Sequence, residues 1–283
     1  MLGSGDRVLC AGTVVAASIP ERIDAAVAGG YRGISLWFPD LARAEGENLS
    51  LGDVRSMIAD AGLELAEIDS VGSWLPGSEP PDDLDELSRS FLRTTDDALE
   101  TAGALGARSV TANEMWGRPV DSDTAPEAFA ALCDRAAEHG LLVHIEPMPM
   151  SGFRTVGDAW EVVRLADRPN GGILFDVWHH YRAGADDDLV RAVPGDRIFA
   201  VHLSDAPVEP ARADVIEEMM HERLLPGLGA VDVVSKLRLL DEIGCRAPLG
   251  VEVISDELAA LSPREAACRV ASALDDVLDE ARR

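Results

Sequence analysis

Residues 141–147 read LLVHIEP, and this short stretch shows the pattern that recurs along the chain. A largely apolar run ends in one acidic side chain, Glu146, and a proline then interrupts the strand. Runs that are apolar on both faces are typical of buried strands in parallel sheets. Eight such runs occur, at residues 8–15, 33–37, 64–68, 109–112, 141–145, 172–175, 198–203 and 249–254.

Helix signals lie between these runs. Ser50 and Asp53 predict a capping box, and Pro126 and Pro263 suit the first turns of two further helices. A strand and helix rhythm repeated eight times without a linker predicts an α/β fold, one closed (β/α)8 TIM barrel over residues 1–283. No GxGxxG or GxxxxGK[ST] motif follows a strand, which disfavours the nucleotide-binding folds.

The composition limits the partners. The 283 residues suit a barrel of about 250 residues, and the net charge of -26 disfavours binding to nucleic acid. No apolar run reaches the roughly 18 residues of a membrane span, and residues 8–17 are interpreted as a first strand rather than a signal peptide. The four scattered cysteines fit reduced thiols. We therefore expect a cytoplasmic protein without a membrane partner, and a homo-oligomer is compatible with the sequence.

Four of the predicted strands carry a metal-ligand type of residue at or near their carboxyl ends. In a (β/α)8 barrel these ends build the active site, and strand alternation directs the four side chains into the barrel mouth. Three carboxylates placed together would repel one another without a cation. Three oxygen donors and one imidazole suit Mn²⁺, Mg²⁺ or Co²⁺, so we predict one divalent ion per chain. The predicted ligands are Glu146, Asp176, His202 and Glu252.

Three motifs add to this pattern. Residues 176–184 contain DxxH followed by glycine, residues 202–205 read HLSD, and residues 223–232 contain RxxPGxG followed by aspartate. Together they resemble the sugar phosphate isomerase/epimerase group of xylose-isomerase-like barrels, which includes ketose 3-epimerases, hydroxypyruvate isomerase and inosose dehydratase. The resemblance spans nearly the whole chain.

The resemblance implies roles for individual residues. The four strand-end residues would be the metal ligands, and His179 and Arg223 would contact substrate oxygens. Glu146 and Glu252 would also transfer protons on opposite faces of the substrate. Such a site serves an isomerase or epimerase that moves a proton next to a carbonyl of a sugar or sugar-like polyol, through an enediolate.

The substrate pocket differs from that of a simple sugar enzyme. Ketose 3-epimerases tend to have a second acid after the strand-five glutamate, where residues 147–152 here read PMPMSG. Four tryptophans follow strand ends and predict an apolar wall that suits an apolar or aromatic substituent. They are Trp37, Trp116 and Trp178, which we expect to contact substrate, and Trp74.

Other activities are compatible with the same ligands. A metal-dependent lyase or dehydratase on a keto-sugar or keto-inositol is the main alternative, with His179, His144 or Glu114 as the candidate acid for the leaving group. An apurinic-endonuclease-type nuclease is disfavoured, because the first four strands offer no histidine and the charge repels DNA. A non-catalytic barrel within a larger complex is a further alternative.

Overall fold

The computed structural model describes residues 1–84 and 86–283. Eight parallel strands close into a barrel in the order of the sequence, as predicted, because β1 pairs with both β2 and β8. The strands are β1 (Arg7–Leu9), β2 (Gly33–Trp37), β3 (Glu64–Val71), β4 (Ser109–Ala112), β5 (Leu142–Ile145), β6 (Gly171–Asp176), β7 (Ile198–Leu203) and β8 (Leu249–Val251).

Helices surround the barrel. None of the described helices is both long enough and apolar enough to cross a bilayer. The helices are α1 (Ile19–Ala28), α2 (Phe38–Gly46), α3 (Leu51–Asp60), α4 (Glu86–Ser90), α5 (Thr95–Leu105), α6 (Ala125–Glu138), α7 (Val156–Ala166), α8 (Val177–Arg182), α9 (Asp187–Arg191), α10 (Val215–His221), α11 (Val233–Glu242), α12 (Asp256–Ala259) and α13 (Pro263–Ala281). Two 3₁₀ turns, Ala11–Val14 and Gly195–Arg197, complete the regular elements.

The helix starts agree with the sequence signals. Ser50 and Asp53 form a capping box at the start of α3, and proline occupies the first turns of α6 and α13. These side chains and prolines satisfy or remove backbone N–H groups that have no partner within the first turn.

Two strands are at least three residues shorter than predicted. The run at 8–15 leaves the sheet after Leu9 and turns at Ala11, whose N–H donates to Ser35 Oγ at 2.8 Å. The run at 249–254 likewise leaves the sheet after Val251. Thr13 holds the two segments together, because its hydroxyl donates to Val251 O and accepts from the N–H of Val253, both at 2.9 Å. The segments that follow these two strands are buried at the barrel mouth, and this is why their residues are apolar.

The apolar core lies between the strands and the helices. Ile145, Phe175, Val201 and Val251 belong to it and are fully buried. Each of these residues precedes or follows a polar strand-end residue, so alternation along the strand directs the polar neighbour to the barrel interior.

Candidate active site

Four consecutive strands bring the predicted ligands together at the barrel mouth. Glu146 and Glu252 directly follow β5 and β8, Asp176 ends β6, and His202 lies in β7. Asp176 pairs in register with His202, and the N–H of Glu252 donates to Leu203 O at 3.1 Å. This register places all four side chains at the same height in the barrel.

The spacing of these side chains suits a single metal ion. One donor atom from each residue lies within 4.8 Å of the others. Two ligands on opposite sides of an ion at about 2.1 Å would be about 4.2 Å apart. His202 Nδ1 lies 3.6 Å from Glu252 Oε2 and has no hydrogen-bond partner within the described ranges. Buried donors normally have partners, so this free nitrogen among three carboxylates fits the place of a cation.

Arg223 places a positive charge beside two of these carboxylates. Its Nη1 lies 2.8 Å from Asp176 Oδ2 and 3.3 Å from Glu252 Oε2, and its side chain is 1% exposed. The guanidinium carbon lies 5.2 Å from the ring centre of Trp178, which is completely buried. His179 joins the group, because its Nε2 is 3.6 Å from Glu146 Oε1.

The carboxylates differ in pKa. Burial tends to raise the pKa of Asp176, but the Arg223 charge outweighs it and holds the pKa at about 2. Burial also tends to raise the pKa of Glu252, but His202 and Arg223 lower it below its usual value. Burial and the nearby Glu252 raise the pKa of Glu146 well above its usual value. Without a cation, the pKa of Glu252 is therefore lowered and that of Glu146 is raised, so Glu146 binds a proton more readily than Glu252 does.

Comparison with known proteins identifies the family. The sequence pattern of the xylose isomerase-like TIM barrel matches residues 23–276. The chain belongs to this family. The 3-dehydroshikimate dehydratase of Pseudomonas aeruginosa is 29% identical over 260 residues, which cover 87% of this chain and 38% of that protein. An inosose isomerase of Bacillus velezensis is 26% identical over 185 residues, 62% of this chain and 64% of that protein.

A solved structure shows the same fold. The IolI protein with a bound zinc atom superposes with a TM-score of 0.83 at 19% identity, over 98% of this chain and 99% of that one. The chain thus spans less than two thirds of the length of the two curated relatives and nearly all of the solved barrel.

An apolar wall lies on one side of the barrel mouth, and Trp37 is part of it. Trp37 packs with Ala11 and Ile254, and Phe91 and Met220 pack against this group. The ring centres of Trp37 and Phe91 are 5.5 Å apart. This wall comes from the end of β2, from the segments after β1, β3 and β8, and from α10.

The other tryptophans lie elsewhere. Trp74 stacks on Phe153 at 5.9 Å between ring centres and belongs to the main core. Trp116 is half-buried and donates its Nε1–H to Ser78 O at 3.2 Å. Trp178 lies beneath Arg223 and supports that side chain. Of the four tryptophans, Trp37 is therefore the one in the apolar wall, and the other wall residues are of different types.

Two candidate acids have other partners. The Glu114 carboxylate accepts hydrogen bonds from the N–H groups of Trp116, Arg118 and Gly152, at 3.0, 3.1 and 2.6 Å. It therefore ties together the loops after β4 and β5, and its role as an acid for the leaving group stays a prediction. His144 lies one interior layer below Glu146, and burial lowers its pKa to about 4.

Two polar side chains at the mouth escaped the sequence analysis. Asn113 follows β4, and the pairing of Ala112 with Ile145 places it beside Glu146. Asp69, near the end of β3, is buried close enough for its charge to contribute to the raised pKa of Glu146. Each has one buried side-chain oxygen without a partner among residues 1–84 and 86–283. Such oxygens can accept hydrogen bonds from substrate hydroxyl groups.

Replacing Asp69 by asparagine should stabilise the metal-free protein at about pH 8 and change it little near pH 4. Burial, with the charges of Glu67 and Glu252, raises the pKa of Asp69 from 3.8 to about 7. The folded state prefers the protonated acid, so the wild type loses stability as the pH rises from about 4 to about 7. Thermal melting at a series of pH values measures the difference, which should grow with pH. A difference that does not change with pH would contradict the burial of this acid.

Proposed function

We propose that the chain is a divalent-metal-dependent lyase that removes a proton next to the carbonyl of a small hydroxylated ring and expels water. The cluster of Glu146, Asp176, His202 and Glu252 carries this proposal, since its donor set suits one divalent ion. An ion held there would act as a Lewis acid toward the carbonyl oxygen as negative charge develops. We propose 3-dehydroshikimate, the compound named in a relative whose match covers 87% of this chain, as the first substrate to test.

The residues divide the proton transfers between them. Glu252 is ionised, so its carboxylate takes the proton from the carbon next to the carbonyl. The electron pair of that C–H bond forms a C=C bond, and the C–O bond at the neighbouring carbon breaks. The leaving hydroxyl departs as water with one proton, and we propose that the proton taken up by Glu252 is passed to it, directly or through His179, whose Nε2 lies 3.6 Å from Glu146 Oε1.

Arg223 and the mouth residues position the substrate. Arg223 holds the Asp176 and Glu252 carboxylates in place through hydrogen-bond and charge contacts. Asp69 and Asn113 offer free oxygens for hydroxyl groups. The apolar wall that contains Trp37 suits the face of a ring, which also agrees with the expected apolar or aromatic character of the substrate.

An isomerase or epimerase on a sugar-like polyol is the second candidate. One feature favours it: burial and the nearby Glu252 raise the pKa of Glu146 well above its usual value, and a second acid at the site could return a proton to the substrate carbon. The similarity to an inosose isomerase is in line with this chemistry, although it covers 62% of the chain against 87% for the dehydratase. Both candidates begin with the same proton removal.

Activity should depend on a divalent ion. Enzyme stripped with a chelator should lose turnover of 3-dehydroshikimate and regain it with Mn²⁺, Mg²⁺, Co²⁺ or Zn²⁺, because charge at the carbonyl oxygen is otherwise uncompensated. Elemental analysis should find about one ion per chain. The reaction is followed by NMR in D₂O, with an inosose and free ketoses as parallel substrates.

The products separate the candidates. Loss of water from the shikimate ring supports the lyase, whereas deuterium incorporation with retention of all hydroxyl groups supports the isomerase. Turnover that persists after complete metal removal would contradict both. We further propose that residues 1–283 form one barrel domain, that it works in the cytoplasm, and that it can form a homo-oligomer.

A further inference from the structure

His202 has a hydrogen-bond partner on the far side of the barrel. Glu67, on β3, places its Oε1 2.6 Å from His202 Nε2, and both side chains are almost completely buried. β3 and β7 are not neighbouring strands, so this contact crosses the barrel interior. An ionised carboxylate only accepts hydrogen bonds, so Nε2 must carry the proton. In the neutral imidazole, which is the form that binds a metal, the lone pair then lies on Nδ1, 3.6 Å from Glu252 Oε2.

Close packing keeps the imidazole in this orientation. A Cβ atom at Gly250 would lie 2.9 Å from His202 Cδ2 and 2.7 Å from Cys10 Sγ, so only glycine leaves room for the ring. Cys10 Sγ is also 4.0 Å from Glu67 Oε1. The second oxygen of Glu67 lies 3.8 Å from His144 Nε2. Among these contacts of Glu67, the one with His202 is the short hydrogen bond.

We infer that Glu67 is a positioning residue: its carboxylate accepts the Nε2–H of His202 and thereby keeps Nδ1 free to bind the metal. This inference rests on the metal centre of the proposed function. A carboxylate that holds the distal nitrogen of a metal-binding histidine fixes its tautomer and its ring orientation. The sequence gives no sign of this role, because Glu67 lies 135 residues from its partner.

The Glu67→Gln variant tests the inference with little change in volume. The glutamine amide can turn its NH₂ group toward Nε2, which favours the tautomer with the proton on Nδ1. Zinc affinity, measured by calorimetry on the full chain, should fall about 10- to 100-fold. Glu64→Gln is the matched control on the same strand, because its side chain is 36% exposed and its partner is the amino terminus. Zinc affinity of this control should equal that of the wild type.

A spectroscopic measurement adds a readout that general destabilisation would not move. In zinc-loaded wild-type protein labelled with ¹⁵N-histidine, His202 should bind zinc through Nδ1 and carry its proton on Nε2. Zinc bound through Nε2 would overturn the inference without any variant, so the test holds even if Glu67→Gln does not fold. Folding of each variant is checked by its circular dichroism.

The outcomes also distinguish this inference from the proposed function. If the wild type binds neither zinc nor manganese, the metal centre and the role of Glu67 are both wrong. If the wild type binds zinc and Glu67→Gln binds it within about twofold, far from the 10-fold minimum expected, only the role of Glu67 is wrong. A selective loss of affinity in Glu67→Gln, with Nδ1 ligation in the wild type, supports both.

Discussion

Replacing Glu252 by glutamine should lower turnover about 100- to 10,000-fold, even when a divalent ion has been restored. The amide has nearly the same size but cannot accept a proton. Although burial works in the opposite direction, His202 and Arg223 keep the pKa of Glu252 below its usual value, so the wild-type carboxylate is ready to act as a base. Single-turnover NMR in D₂O should show the same loss in exchange of the proton next to the carbonyl.

The measurement must separate proton transfer from metal binding. Turnover is compared at saturating metal, with the bound metal counted by elemental analysis. Glu257→Gln is the matched control, because Glu257 lies on α12 with its side chain 66% exposed. Its turnover should equal that of the wild type. Wild-type turnover and deuterium exchange in a fully metal-loaded Glu252→Gln variant would show that Glu252 is not the base.

Several strands could be located from the sequence because burial and pairing coincide in them. The runs at 33–37, 109–112 and 198–203 match β2, β4 and β7 residue for residue. The runs that open and close the barrel were predicted too long. Ala11 and Val253 are as apolar and as buried as strand residues, yet they lie at the mouth beyond the last ladder hydrogen bonds. Apolar runs report burial, and they do not tell a strand from a buried loop.

The ligand set could be predicted for a related reason. A polar residue at the end of an apolar strand has few places to point except the barrel mouth, and four successive strands give four such residues. The structure accordingly brings Glu146, Asp176, His202 and Glu252 within reach of one ion. The contacts of Glu67 and Asp69 could not be predicted. Both lie on β3, and their partners come from strands that are distant in the sequence.

The tryptophans illustrate a second limit of sequence analysis. Position near a strand end does not determine whether a large side chain points to the mouth or under a helix. Trp37 borders the mouth, whereas Trp74 packs on Phe153 in the core. Trp178 lies in the first turn of α8, completely buried beneath Arg223. Its effect on substrate would then be exerted through Arg223.

Replacing Arg223 by methionine should strongly destabilise the metal-free protein. Methionine keeps an apolar chain against Trp178 but removes the charge that lies 2.8 Å from Asp176 and 3.3 Å from Glu252. Loss of one partner from a buried ion pair costs about 3 to 5 kcal/mol, which corresponds to a fall in melting temperature of about 10 °C for a chain of this size. Thermal melting followed by circular dichroism, with chelator present, measures this loss.

A divalent ion should recover part of that stability. A cation among the carboxylates would replace the missing positive charge, so saturating manganese should raise the melting temperature of Arg223→Met more than that of the wild type. Arg269→Met is the matched control, because Arg269 pairs with Glu257 at the surface and its side chain is 46% exposed. That pair should contribute no more than about 1 kcal/mol. If Arg223→Met melts like this control, Arg223 does not compensate the buried carboxylates. If manganese stabilises Arg223→Met and the wild type equally, the arginine and the ion do not act on the same charges.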